Sequence, residues 1–218
     1  MDDTRYGINF IQTGQAFKVG TDSVLLADFA NISNARRVID LGCGGGTLMI
    51  LLALRNPAAA FTGVEISPEA AEEARENVRQ NDLTGRVEVI TGDLRELDSG
   101  HAGLYDHVVS NPPYFPLGKG KPAPDPLRAS ARDERFCTLA ELCRAARYLC
   151  RWGGLFSLVH RPERLSEVFV EMSRCGLEPK RLRFVQYDEN SAPNLVLIEG
   201  RRGGKPGLSV EPPLIIRL

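Results

Sequence analysis

Short apolar runs alternate with longer amphipathic ones along most of the chain. Arg37-Val38-Ile39-Asp40-Leu41 is a compact apolar stretch closed by the glycine run Gly42 to Gly46, and it predicts a strand ending in a tight loop. Thr47 to Arg55 has helical spacing, which Pro57 stops. Phe61 to Glu65 predicts a second strand. Ser67-Pro68-Glu69 then opens a long amphipathic helix, with Ser67 as N-cap and Pro68 in the first helical position. Arg86–Thr91, Tyr105–Ser110 and Leu155–Val159 predict further strands, and Leu139–Leu149 and Leu165–Arg174 further helices. Arg161, Pro162 and Arg164 begin that last helix, with Arg164 expected on its solvated side.

Two final strand candidates, Leu182–Tyr187 and Leu195–Glu199, have no helix between them and predict an antiparallel terminal hairpin. Before the first strand, Ile8 to Val19 reads as an extended or hairpin segment. A short helix follows through Val24–Ala27, with N-cap candidates at Thr21, Asp22 and Ser23. Strand and helix alternation of these lengths predicts an α/β fold. Its sheet is mostly parallel and seven-stranded, with an antiparallel C-terminal strand and helices on both faces. In such sheets ligands bind beyond the carboxyl ends of the strands, where the strand order reverses.

A length of 218 residues suits one domain, with 43% hydrophobic and 25% charged residues. No apolar run approaches a membrane span and the polar start Met1-Asp2-Asp3 lacks a signal-peptide core, so a cytoplasmic protein without membrane partners is expected. The 5 cysteines form no Cys-x-x-Cys pair, which argues against a disulfide framework or structural zinc. Cys143 and Cys150 are expected to share a buried face. Net charge is -1, but residues 1–110 carry 9 Lys/Arg against 16 Asp/Glu, and residues 111–218 carry 18 against 12. The second half therefore has the charge of a surface for a polyanion.

The glycine run does not fit the common nucleotide loops. A dinucleotide fingerprint starting at Gly42 would put its last glycine at Thr47, and no Gly-Lys-Ser/Thr tripeptide marks a P-loop. Asp40, inside the strand two residues before Gly42, suits a cationic or amine-bearing ligand better than a pyrophosphate. Glu65 ends the second strand about 20 residues later, where a carboxylate can accept from both ribose hydroxyls. Gly92-Asp93 follows the third strand, and the Asp93 carboxylate can accept from an amino group.

At the end of the fourth strand stands Asn111-Pro112-Pro113-Tyr114. Two prolines fix the backbone and remove two amide donors, leaving the Pro112 carbonyl free to accept beside the Asn111 side-chain oxygen. Two acceptors aimed at one NH2 group hold it and draw its lone pair out of conjugation. Tyr114 offers a ring face for a planar group. His107 lies within a strand and reads as structural.

Together these residues resemble the class I S-adenosylmethionine-dependent methyltransferases, over roughly residues 36 to 160. That resemblance implies a Rossmann-like fold and S-adenosylmethionine as cofactor, with no metal. Asp40, Gly42, Gly44 and Gly46 would hold its methionine part, Glu65 its ribose and Asp93 its adenine, with Ile66, Gly92 and Leu94 also in the cofactor site. Asn111 would contribute to both cofactor and catalysis. The Asn-Pro-Pro-Tyr sequence resembles that of amino-methyltransferases acting on adenine N6, cytosine N4, guanine N2 or glutamine amide, so the motif alone leaves the acceptor open.

Beyond the shared motifs, the chain is similar to the bacterial tRNA1(Val) adenine-37 N6-methyltransferase family. The similarity rests on Gln15 to Ala27, Asn111 to Phe115, Ala129-Ser130-Ala131-Arg132, Leu158 to Arg164 and Pro213-Leu214. It implies a tRNA partner and a base flipped out of its stack against Tyr114. It also implies that residues 1–35 close the cofactor site, with Lys18, Thr21 and Asp22 over the methionine end. The basic loop residues Lys119, Lys121, Arg128, Arg132 and Arg135 would then contact RNA, with Arg201-Arg202-Gly203-Gly204-Lys205 as a second cluster. Glutamine N5-methylation of a release factor or ribosomal protein is the main alternative, with ribosomal RNA guanine N2-methylation beside it. Relatives of the glutamine type carry an additional N-terminal helical domain, and about 35 residues precede the first strand here. A non-catalytic module that binds cofactor and RNA is a reading of another class, against which the intact Asn111, Pro112 and Tyr114 count.

Overall fold

The computed structural model describes residues 20–114 and 137–216. Within them, β1 (Arg37–Leu41), β2 (Ala60–Glu65), β3 (Val87–Thr91), β4 (Tyr105–Ser110), β5 (Cys150–His160), β6 (Leu177–Gln186), β7 (Leu195–Arg202) and β8 (Ser209–Ile215) form one sheet. Its order is β3-β2-β1-β4-β5-β7-β6-β8. Only β7 runs antiparallel to its neighbours, and β8 lies parallel to β6.

The sheet therefore has eight strands among the described residues, one more than the apolar pattern predicts. β8 escapes that pattern because Pro212 and Pro213 interrupt it and because its side chains are largely exposed. An edge strand tolerates proline, since one side of its backbone has no ladder bond to lose. β6 begins at Leu177, five residues before the predicted start at Leu182, because charged Glu178, Lys180, Arg181 and Arg183 mask its buried positions. The antiparallel pairing expected of the last two predicted strands is the β6–β7 ladder.

Five α-helices are described: α1 (Thr21–Phe29), α2 (Thr47–Arg55), α3 (Pro68–Gln80), α4 (Leu139–Leu149) and α5 (Leu165–Arg174). Local chemistry sets their starts. The Ser67 hydroxyl accepts from Ala70 N–H with Pro68 in the first turn, and Thr138 and Glu141 form a reciprocal capping box. α1, α2 and Val78 of α3 bury their apolar sides in one core cluster, and α4 and α5 in a second across the sheet. Cys143 and Cys150 both lie in the second, fully buried. No helix among the described residues is long and apolar enough to cross a membrane.

Strand order reverses between β1 and β4, and this opens a crevice at their carboxyl ends. The two ends are laced together, since the Ser110 hydroxyl donates to the Leu41 carbonyl at 2.8 Å. The glycine loop follows β1 and Asn111 follows β4 at these two neighbouring ends.

Candidate active site

The loop after β1 turns on three glycines with positive φ, Gly42 (+73°), Gly44 (+52°) and Gly46 (+86°), a region costly for any residue with a Cβ. Gly42 and Cys43 N–H groups both donate to the Val64 carbonyl, and Gly46 closes the turn on Cys43. Gly46 is then the N-cap of α2. The loop backbone is thus held against the ends of β1 and β2, with free helix N–H groups behind it.

Asp40 sits beneath this loop. It is 2% exposed, and neither carboxylate oxygen has a hydrogen-bond partner. Burial, reinforced by the nearby Glu65 charge, raises its pKa to about 8. A buried carboxylate without a donor is expensive, and a cationic or amine-bearing ligand is what relieves it. The residues present therefore fit the charged amino-acid end of S-adenosylmethionine.

Glu65, at the end of β2, accepts from Gly44 N–H at 2.8 Å with one oxygen and from Ser67 N–H at 2.9 Å with the other. These bonds fix the carboxylate toward the loop and leave lone pairs for further donors. Ile66 beside it is 42% exposed, an apolar surface at the crevice. Gly92 N–H donates to the Glu65 carbonyl, tying the β3 end to the β2 end. Asp93 is not held free for an amino group. Its carboxylate accepts from Arg95 N–H and from the Arg95 guanidinium, which also reaches Glu141 at 3.0 Å. That guanidinium lowers the Asp93 pKa. Leu94 is half-buried against the second core cluster.

At the end of β4, the Asn111 NH2 group donates to the Ser23 hydroxyl of α1 at 3.1 Å. Its oxygen faces the Tyr114 hydroxyl at 2.6 Å, and that hydroxyl also lies 2.6 Å from Asp22. One phenolic proton can serve only one of these acceptors at a time. Burial and the adjacent Asp22 charge push the Tyr114 pKa well above its ordinary value, so the phenol stays protonated.

The Tyr114 ring is packed from two directions. His160 meets it edge-on with ring centroids 5.5 Å apart, and the Arg161 guanidinium lies 5.4 Å from its centroid. Arg164 donates to the Tyr114 carbonyl at 3.3 Å and pairs with Glu167. This corrects the expectation of a solvated Arg164: its side chain is 11% exposed. Pro162–Arg164 forms a 3-10 turn ahead of α5, and that turn redirects the side chain toward the β4 end.

The structure thus places Asp40, Gly42, Gly44, Gly46, Glu65, Ile66, Gly92, Asn111, Pro112, Pro113 and Tyr114 at or just past the ends of neighbouring strands, with Asp22 of α1 against Tyr114. Thr21 begins α1 exposed, and Asp22 meets Tyr114. Ser23, His160 and Arg161 join the site without having been singled out for it. Ser23 reads as a helix cap and Arg161 as the start of a helix, so only the fold reveals their role. His107 is structural, as its strand position predicts: it is buried between Ser157 and the Asn31 carbonyl. Lys18, the Ile8–Val19 segment, Lys119, Lys121, Arg128, Arg132 and Arg135 lie outside the described residues. Arg201 to Lys205 lie at the other end of the sheet. β7 runs antiparallel there, so Arg201 pairs with Leu155 near the start of β5.

Comparison with known proteins agrees with this architecture. Residues 15–122 match the methyltransferase small domain family model. The chain is 35% identical over 179 residues to a tRNA1(Val) (adenine(37)-N6)-methyltransferase of Yersinia enterocolitica, covering 82% of this chain and 69% of that one. A protein of the same name from Porphyromonas gingivalis is 36% identical over 200 residues, covering 87% and 76%. Among solved structures, a predicted O-methyltransferase from Agrobacterium tumefaciens superposes with a TM-score of 0.70 at 24% identity, over 89% of this chain and 86% of that one, and shares the fold. By sequence, fold and strand-end residues, the chain belongs to the tRNA1(Val) (adenine(37)-N6)-methyltransferase family.

Proposed function

We propose that the chain transfers a methyl group from S-adenosylmethionine to the exocyclic N6 of an adenine in tRNA. The observation that carries this reading is the Asn111 amide, whose NH2 is tied back to Ser23 so that its oxygen is left as an acceptor beside the Tyr114 hydroxyl, two residues past the β4 position that pairs with Asp40. An acceptor there suits an NH2 group and does nothing for a hydroxyl that must be deprotonated. The relatives named for adenine methylation favour adenine over the glutamine and guanine alternatives.

When bound, S-adenosylmethionine supplies a methyl group made electrophilic by its sulfonium. Asp40 and the glycine-loop backbone would hold its amino-acid end, and Glu65 its ribose hydroxyls. Ile66, Gly92, Asp93 and Leu94 would border its adenine, with Asp93 acting from its pairing with Arg95. The chain's own work is then positioning and charge. The incoming NH2 takes the Asn111 oxygen that the Tyr114 hydroxyl occupies, and the phenol turns its proton wholly to Asp22. Asn111 and the Pro112 carbonyl draw on the N–H bonds, localising the lone pair on nitrogen for in-line attack. The nitrogen becomes transiently cationic and sheds a proton to solvent or a nearby acceptor. Tyr114, braced by His160 and Arg161, gives the base a ring edge and face to rest on.

The test supplies methyl-labelled cofactor and total tRNA from a strain lacking this protein, followed by nucleoside analysis. Label in N6-methyladenosine is the expected result. Label in a protein fraction alone would move the assignment to glutamine on the same Asn111-Pro112-Pro113-Tyr114 site.

A further inference from the structure

The end of the sheet opposite the crevice carries an exposed aromatic platform ringed by cations. Trp152, at the start of β5, is 69% exposed. One face of its ring lies on Gly203, where an added Cβ would come within 2.4 to 2.8 Å of three ring atoms. Gly203 has φ +70° and its N–H donates to the Gly176 carbonyl, so the turn that supports the ring is itself fixed. The rest of the side chain is largely open to solvent.

Around it stand Arg147, Arg151, Arg201, Arg202 and Lys205. Arg201 donates to the Gly153 carbonyl at 2.9 Å and Arg202 to the Cys150 carbonyl, which draws both guanidinium groups to the Trp152 strand. The Lys180 ammonium holds the carbonyls of Lys205 and Gly207 and so fixes the 205–207 turn. Arg151 is paired with Asp106 at 2.5 Å, and Glu178 stands opposite Arg201 in the β6–β7 ladder. Arg147, Arg201, Arg202 and Lys205 form no ion pair with a carboxylate among the described residues. A supported aromatic face beside unneutralised cations is the composition of a nucleic-acid strand site, where a base stacks and phosphates meet the charges.

We infer that this surface is a second RNA-docking site, with Trp152 stacking a base of the substrate tRNA and Arg201, Arg202 and Lys205 contacting its backbone. The inference rests on the reading of tRNA as substrate. β4 alone separates Tyr105 beside this surface from Asn111 by about 20 Å, so the site engages a different part of the tRNA from the reacting nucleotide. The chain has 1 tryptophan among its aromatic residues, so emission excited selectively at tryptophan, beyond tyrosine absorption, reports this surface alone.

The experiment titrates the full chain with tRNA from a strain lacking the protein, reading Trp152 emission and filter retention in parallel. Emission is expected to be quenched along the retention curve, with a midpoint that rises steeply with salt. Lys205→Glu on its exposed turn should shift both midpoints several-fold, and R201E/K205E about tenfold or more. Trp152→Ala should weaken retention roughly tenfold. Retention with unchanged emission overturns the inference, as does absence of retention at low salt, or equal midpoints in wild type and R201E/K205E. Emission that changes with protein concentration before RNA is added means that copies of the chain cover Trp152, and also overturns it. Methyl transfer to tRNA, measured separately, shows whether the parent reading stands whichever way the fluorescence falls.

Discussion

At the scale of single residues, the two ends of the Asn111 amide have different tasks. The nitrogen anchors to Ser23 and the oxygen faces the Tyr114 hydroxyl. Asn111→Ala should lower kcat by about 100-fold or more, with cofactor affinity little changed, in a single-turnover methylation assay beside a cofactor titration. Ser23→Ala removes only the anchor. It should lower kcat about five- to tenfold, and Ser23→Thr should restore most of it, since the threonine hydroxyl can accept the same bond. Tyr114→Phe and Asp22→Ala break one contact from its two sides, so their effects on kcat should coincide and not add in the double variant. If Asp22→Ala instead weakens cofactor binding, the carboxylate serves the cofactor, as the family resemblance implies, and not the tyrosine.

At the scale of elements, what was legible and what was not have separate physical causes. The β1-loop-α2 and β4 ends could be read because glycine and proline impose backbone behaviour that no packing overrides. Asp40, Glu65 and Asn111 follow from those punctuation marks by position alone. The partners of Tyr114 could not be read the same way. His160 and Arg161 are about 50 residues further along the chain, and only the parallel pairing of β4 with β5 brings the two strand ends together. The same pairing carries Arg164 inward to the Tyr114 carbonyl, against the solvated position that helical spacing implies. β8 was hidden for a local reason, because its two prolines read as loop while an edge strand accepts them. The Arg201–Lys205 cluster was visible as charge, but its place at the far end follows from the reversed direction of β7.

At the scale of the molecule, three buried titratable groups outline the pH dependence of stability. Burial lowers the pKa of His107 and of His160 to about 4 and raises that of Asp40 to about 8. Between about pH 4 and 6.5 the unfolded chain protonates both histidines while the folded chain holds a proton only on Asp40. Unfolding then takes up a net proton, and stability rises with pH. Between about 6.5 and 8 the histidines are neutral in both states, and Asp40 holds its proton only when folded, so stability falls with pH. A maximum near pH 6.5 is expected, with limbs on the order of 1 kcal/mol per pH unit, measured as Tm against pH. Asp40→Asn should flatten the upper limb and raise Tm near pH 7.5 by a few degrees while weakening cofactor binding. The same carboxylate must ionise to meet a cationic ligand. Calorimetry in buffers of different ionisation enthalpy should therefore show proton release on cofactor binding below pH 8, lost in Asp40→Asn.

The measurement that bears most directly on the central claim is nucleoside analysis of tRNA after single-turnover reaction with methyl-labelled cofactor, run side by side with wild type and Asn111→Ala. Label in N6-methyladenosine is expected with wild type and at most about one hundredth of that rate with the variant, at equal cofactor occupancy. Equal rates for the two proteins, or label in any nucleoside other than N6-methyladenosine, would contradict it.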